Sequence, residues 1–396
     1  MSRPKNRPWV PRLRFPEFRD AGAWEAKEIQ ECLEYERPDR FIVNSDNYHQ
    51  SGTPVLTANQ SFILGYTNEH DGICNHLPAV IFDDFTTDMK YVDFPFKVKS
   101  SAIKILRTKE DNNLSFLYEL IYRMPFDASQ HKRHYISEYQ HQVIRLPHPR
   151  EQNKIAACLS SLDALITTLS RKIDTLKEHK KGLMQQLFPQ EGETVPQLRF
   201  PEFRDAGAWG EKRLDQVCKV NPKTESLPDK FVYIDLESVE AGNLLQKNFV
   251  SRSAAPSRAQ RLLKNGDIIF QLVRPYQKNN YLFNEVDCPS YVASTGYAQL
   301  RANQSSTYLY QYVHAESFVE KVLSKSEGSN YPAISSGELS KILVWLPEPH
   351  EQQKIASCLS SLDKLIAVKS RKLDALGTHK KGLMQQLFPV TDDSTQ

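Results

Sequence analysis

One repeat limits what this chain can fold into. Residues 151–189, EQNKIAACLSSLDALITTLSRKIDTLKEHKKGLMQQLFP, return at 351–389 as EQQKIASCLSSLDKLIAVKSRKLDALGTHKKGLMQQLFP, with 29 of 39 positions identical. A shorter block, VPRLRFPEFRDAGAW from Val10 to Trp24, recurs with one change from Val195 to Trp209. The order is arm, variable segment, helix-like block, and then the same three again. The two variable segments share almost nothing. The second is longer, 142 positions from Trp209 to Glu351 against 127 from Trp24 to Glu151. The frame is duplicated and its contents differ, a pattern that no ordinary single domain produces.

The repeated blocks carry a heptad. In the first, apolar residues fall at Ile155, Leu159, Leu162, Ile166, Leu169, Ile173, Leu176, Leu183 and Leu187. The alternating spacing of four and three keeps one narrow seam in register. The second keeps it at Ile355, Leu359, Leu362, Ile366, Leu373, Leu376, Leu383 and Leu387 and puts Lys369 where the first has Leu169. Both copies place a lysine inside the seam, Lys180 and Lys380. Such polar interruptions weaken a seam but fix its alignment. Each block ends in LFP, where proline stops the helix. The seam is narrower than the stripe a helix lays on a globular core. It predicts that the two helices pair with each other and, if antiparallel, space two equivalent domains as a ruler would.

Composition bounds the rest. A chain of 396 residues, 40% hydrophobic, has room for two or three domains with real cores. The formal charge of +3 is too small to mark a generally cationic protein, so any nucleic-acid surface must come from local clustering. Six cysteines, Cys32, Cys74, Cys158, Cys218, Cys288 and Cys358, include no CxxC pair and read as reduced thiols. No apolar leader and no stretch of membrane-spanning length stands out, which predicts a soluble cytoplasmic protein with no membrane partner.

Each variable segment reads as a compact mixed domain. In the first, the β-prone runs 78–85, 91–98 and 102–106 precede a helical stretch from Leu114. In the second, runs at 231–239 and 266–273 precede a helical run from Tyr308 and the strand-like KILVWLP. The expected fold class is α+β: two mainly antiparallel, sheet-containing domains separated by an antiparallel coiled coil of two long helices, related by a pseudo-two-fold repeat.

Basic residues cluster once per domain. Lys90, Lys97, Lys99, Lys104 and Arg107 face a single acid, Asp93, with Tyr91, Phe94 and Phe96 interleaved. Arg252, Arg258, Arg261, Lys264, Arg274 and Lys278 face only Asp267. Near them lie side chains of the kinds that read base edges, since amides pair with adenine and arginine with guanine. These are Thr57, Asn59 and Gln60 in the first domain, and Gln271, Tyr276, Gln277, Asn279 and Asn280 in the second. A solvated face is the plain alternative for any one of them; one cluster per repeat favours DNA.

Catalytic signatures are missing. The chain has no phosphate loop, GxGxxG, HExxH or GxSxG, and no Pro-Pro-aromatic motif of the kind that holds a flipped adenine. His70, Asp71, Cys74 and His76, and likewise His131, His134 and His141, lack a metal spacing with a second half, so no metal is expected and they read as turn and surface residues.

The paired EQxKIAxCLSSLDxLI…HKKGLMQQLFP blocks, the LRFPEF…AW arms, NGDIIFQLVRPY in the second domain and PEPHEQQKIA before the second helix together resemble the specificity subunit of type I restriction-modification enzymes. The resemblance covers nearly the whole chain. It implies a non-catalytic subunit with two target-recognition domains, each reading half of a bipartite sequence in double-stranded DNA. The helices would act as spacer and as docking surface for two methyltransferase subunits, with restriction subunits completing the complex. S-adenosylmethionine, ATP and Mg would then serve those partners. The expected division is an arm at 1–24, a recognition domain at 25–149, a spacer helix at 150–189 and a linker with the second arm at 190–210. A second recognition domain at 211–348, a second helix at 349–389 and a disordered tail at 390–396 follow. A competing reading is a non-catalytic coiled-coil scaffold whose variable domains bind proteins, but that reading has no need of a basic cluster in each domain.

Overall fold

The computed structural model describes residues 9–59, 61–126, 132–224, 226–285, 290–328 and 330–389. Gln60, His131, Cys288, the first eight residues of the arm and the tail at 390–396 lie outside them. The chain forms two compact units, Met1–Thr168 with Leu373–Gln396, and Leu169–Lys372. Each unit combines one variable segment with the start of its own long helix and the end of the other.

The long helices span Pro149–Leu187 and Pro349–Leu387. Each opens on a proline, whose missing N–H no first-turn position needs. In the first unit, Ile155, Ala156 and Leu159 pack with Leu383, Met384, Leu387 and Phe388, so the two helix segments run antiparallel. Lys380 Nζ donates to both oxygens of Asp163 at 2.8 Å. The second unit repeats the arrangement, with Ile355, Ala356 and Leu359 against Leu183, Met184, Leu187 and Phe188. There Lys180 Nζ meets Asp363 at 2.6 Å, and Gln311 donates to the other carboxylate oxygen at 2.7 Å. Every seam residue is at least half-buried, whereas Leu165, Leu365 and Val368 off the seam are exposed. A seam lysine paired with an aspartate on the facing helix is satisfied in one register only, which is how a polar interruption fixes alignment.

In the first unit a four-stranded antiparallel sheet runs in the order Leu33–Glu36, Ile103–Thr108, Ala79–Asp83, Met89–Val92. A three-stranded sheet of Ile63–Thr67, Thr53–Leu56 and Lys97–Val98 includes one parallel pairing. One face of the larger sheet, with Val80, Phe82 and Leu106, packs on the helix Leu114–Ile121 and on the long-helix ends. The other, with Ala79, Ile81, Ile103 and Ile105, packs on Leu56, Phe96 and Val98. Both faces are covered, so the sequence reads as apolar runs and not as a clean alternation. A ribbon of Glu25–Glu28 and Val143–Leu146 joins the two ends of the segment just before the helix begins.

The second unit repeats the scheme. Cys218–Val220, Tyr297–Ala302, Asp267–Gln271 and Tyr281–Leu282 form the matching antiparallel sheet, and Gly210–Arg213 pairs with Leu343–Leu346 as the matching ribbon. Its second sheet has four strands, Asn248–Ser251, Lys230–Ile234, Tyr291–Ser294 and Ala259–Leu262, with one parallel pairing. The α+β class expected above is the class observed.

Three local expectations change. The run 91–98 is not one strand: it breaks at Asp93–Phe96 around Pro95, and its halves join different sheets. The helical run from Tyr308 divides into Ser306–Tyr312 and Glu316–Ser324. His134 is not a surface histidine: it is fully buried, edge-on to Phe126 at 5.3 Å, and Cys74 is buried beside Arg107. No helix among the described residues is long and apolar enough to cross a membrane, and none of their His, Cys, Asp and Glu groups is arranged to hold a metal ion.

Candidate nucleic-acid interface

The five cations of the first domain do not share one face. Lys97 is 2% exposed, pairs with Glu69 at 2.8 Å and donates to the Asp71 carbonyl at 2.8 Å. Lys104 lies on the covered central sheet, 3.2 Å from Asp84 and 5.6 Å from the Tyr35 ring. Arg107 is buried against Glu36, the His76 carbonyl and the Cys74 sulfur. A cation on a sheet covered on both faces persists only with a counter-charge. Those carboxylates come from distant parts of the chain, so local spacing does not reveal them. Lys99 pairs with Asp46 nearer the surface. Lys90, on the edge strand, has no ion-pair partner among the described residues. The interleaved aromatics are packing groups: Tyr91 lies against Tyr118 at 6.0 Å, burial raises its phenol pKa, and Phe96 is fully buried. Thr57 is half-buried, while Asn59 is exposed with its Oδ1 3.5 Å from Thr86 Oγ1.

The second cluster keeps more of its charge outward. Arg252, Arg258 and Lys264 are exposed. Arg261 is half-buried on Ala259–Leu262, burial lowers its pKa, and its Nε has no hydrogen-bond partner among the described residues.

Residues 271–280 turn from the central strand into its hairpin neighbour and behave differently. Arg274 and Lys278 both adopt left-handed backbone, φ 54°, on either side of a single 3-10 turn, Pro275–Gln277. For non-glycine residues this costs about 1–3 kcal/mol each and persists only where the surroundings over-determine it. The surroundings here are a buried amide network. Gln271, 3% exposed, donates from Nε2 to Gln277 Oε1 at 2.9 Å and accepts the Asn279 N–H at 3.2 Å. Asn280 Oδ1 accepts the Gln271 N–H at 2.8 Å, and its amide faces His314 Nε2 at 3.4 Å. Asn279 accepts the Ala241 N–H. Lys278 is tied to Glu316 at 2.9 Å and to the His314 carbonyl at 3.2 Å. Arg274 takes its place over the Tyr331 ring, 4.4 Å from its centre. Tyr276 and Gln277 stand exposed at the tip.

Of the sequence candidates, then, Gln271, Arg274, Tyr276, Gln277, Lys278, Asn279 and Asn280 come together. Arg252, Arg258, Arg261 and Lys264 belong to the other sheet and its approaches. Tyr331, 64% exposed, and Thr86 are not among the sequence candidates. Tyr331 joins the turn through the Arg274 N–H, which donates to the Pro332 carbonyl at 2.7 Å. No local sequence pattern marks it.

The sequence model of the Type I restriction modification DNA specificity domain matches the chain twice, at residues 22–178 and 207–377. The chain is 28% identical over 358 residues to the Type I restriction enzyme EcoR124I/EcoR124II specificity subunit of Escherichia coli, covering 85% of this chain and 86% of that one. It is 23% identical over 403 residues to the MjaVIII specificity subunit of Methanocaldococcus jannaschii, covering 95% and 93%. Among solved structures, the S subunit of the type I restriction-modification system from M. genitalium shares the fold, with a TM-score of 0.66 over 96% of this chain and 100% of that one at 14% identity. Carrying that domain twice over most of its length, the chain belongs to the specificity subunits of type I restriction-modification enzymes.

Proposed function

We propose that this chain is the non-catalytic sequence reader of a restriction-modification complex, with residues 25–149 and 211–348 each recognising one half of a bipartite site in double-stranded DNA. The observation that carries the reading is the duplicated family domain in which the frame is retained and the sheet tips and basic residues differ. Two such readers in one chain suit an asymmetric target in two parts. Arg252, Arg258, Arg261 and Lys264 in the second domain, and Lys90 and Lys99 in the first, are the cations best placed for phosphates. Lys97, Lys104 and Arg107 hold their domain together. The paired helices set the nonspecific gap and, with the arms, dock two methyltransferase subunits. Restriction subunits complete the assembly, and S-adenosylmethionine, ATP and Mg belong to those partners.

Domain exchange tests this directly. Replacing residues 25–149 with the corresponding segment of a relative, in a host carrying the complete system, should change one half of the methylated adenine motif. The other half and the gap should stay as they were. A methylome in which both halves change would overturn the assignment of independent readers.

A further inference from the structure

The strained turn at 274–278 is built as a reading head, and we propose that Gln277, with Tyr276 beside it, specifies a purine in the major groove of the second half-site. This deepens the function proposed above and rests on it. The backbone is held in left-handed conformation at Arg274 and at Lys278, neither of them glycine. A turn that needed only to connect two strands could use glycine there at no steric cost. Buried polar groups back the tip. Gln271 Nε2 donates to Gln277 Oε1, which fixes the Gln277 amide plane and leaves its own N–H donors free for an outside partner. Donors in that plane match a purine N7, and the second lone pair of Oε1 can accept from the adenine N6 amine. Tyr276, 48% exposed, puts an aromatic face next to this amide.

The first domain carries the same device at the same point of the fold. Asp83 ends the strand equivalent to Asp267–Gln271 and is buried as Gln271 is. Its Oδ1 accepts the N–H groups of Phe85 and Thr86 at 2.9 and 3.0 Å, and Thr87 has φ 60°. Thr86 is exposed beside Asn59. Unrelated sequences thus produce, in both domains, a strand-ending buried polar residue that clamps a left-handed tip. The side chains that emerge differ: a threonine with an asparagine in one, a tyrosine with a glutamine in the other. That is the place where two readers of different sequences must differ.

The test is selection of double-stranded DNA from a randomised pool by the full-length chain, followed by sequencing of what it retains. The unaltered chain should enrich a motif in two parts. Gln277→Ala should relax preference at one purine position in one part by about 5- to 150-fold, the range for losing one good base contact. The other part should remain intact. Tyr276→Ala should relax the same or the adjacent position. Gln277→Glu replaces the donor with a carboxylate, which accepts from the cytosine amine, and should move the preferred base at that position to cytosine. Neither tip residue is placed on phosphate, so the salt dependence of binding should not change in the two alanine variants, which leave the charge as it is. Unchanged motifs in all three variants, or a loss of affinity uniform across sequences, would overturn the assignment of the tip. An unaltered chain that enriched no motif would overturn the DNA-reading function itself.

Discussion

Arg14 and Arg199 occupy matching places in the two arms and close the same joint. Each forms a two-pronged bridge to a buried carboxylate in the first turn of a long helix, Glu151 or Glu351, with both N···O distances 2.7 Å. Each also donates to two backbone carbonyls further along its own arm, Ala21 and Gly22 or Ala206 and Gly207. The hydrogen bond to the carboxylate outweighs burial and holds both guanidinium groups above their usual pKa. Arg14→Ala would leave Glu151, 1% exposed, as an uncompensated buried charge, at a cost of about 3–5 kcal/mol. Arg14→Lys should recover only part of this, because an ammonium cannot reproduce the planar fork. Urea unfolding of the three proteins should rank them wild type, lysine, alanine; equal midpoints for lysine and arginine would show that charge alone matters. The repeated LRF motif made the arms conspicuous in sequence, yet nothing in it assigned a partner to the arginine. The same gap affects Lys97, Lys104 and Arg107, whose spacing suggested a basic surface until distant carboxylates were brought beside them.

Beneath the tip of the second domain, the hairpin and the end of the helix Ser306–Tyr312 meet at one half-buried histidine, His314. His314 Nδ1 faces the Tyr310 carbonyl at 2.7 Å, so that nitrogen carries the proton, and Nε2 accepts from Asn280. Burial first, and then nearby lysines, lower its pKa to about 4 despite the bond to the Tyr310 carbonyl. The folded state therefore binds fewer protons than the unfolded chain between pH 4 and the ordinary histidine value near 6.5. Stability from this group is complete above about pH 6.5 and falls as pH drops towards 4, by at most about 1.4 kcal/mol per pH unit. Protonation would also set two donors, Nε2–H and the Asn280 amide, against each other. His314→Gln should flatten the pH dependence of thermal unfolding in this window. An unaltered slope would place the proton uptake elsewhere. No sequence pattern marked this element: the HAES stretch reads as the middle of one helical run from Tyr308, and the histidine becomes special only because the run breaks there and Asn280 arrives from a hairpin 34 positions away.

The whole molecule follows the logic of its duplication. Leu387 and Phe388 at the end of the second helix are buried in the core of the first unit, with the Phe388 ring 5.4 Å from Phe116 and 6.3 Å from Trp24. The end of the first helix has the same sequence, GLMQQLFP, and its Lys180 occupies the place of Lys380. A fragment of residues 1–195 lacks the segment that completes its core but carries an equivalent one that a second copy can donate. With Leu169 in the seam where the second helix has Lys369, its self-pairing is the less polar one. The fragment should sediment as a dimer at micromolar concentration and, with methyltransferase partners, should modify a palindrome built from the first half-sequence. A monomer that stayed folded would show that the helix end is dispensable, and a dimer that modified only asymmetric sites would refute the two-fold equivalence.

The sequence alone determined the duplicated frame, the long paired helices, the α+β class and the membership in a family of specificity subunits. These depend on periodicity and near-identity over tens of residues, signals that stay local to the chain. Where each helix end is buried, which lysines are consumed by ion pairs and which turn is held rigid were decided by tertiary structure. Each depends on groups far apart in sequence: Glu36 beside Arg107, Glu69 beside Lys97, Gln271 behind Gln277. A cation reads the same in sequence whether a carboxylate or a phosphate will answer it. Only the fold supplies the distance, and the interaction of charges in a partly buried site depends on that distance and on the water it excludes.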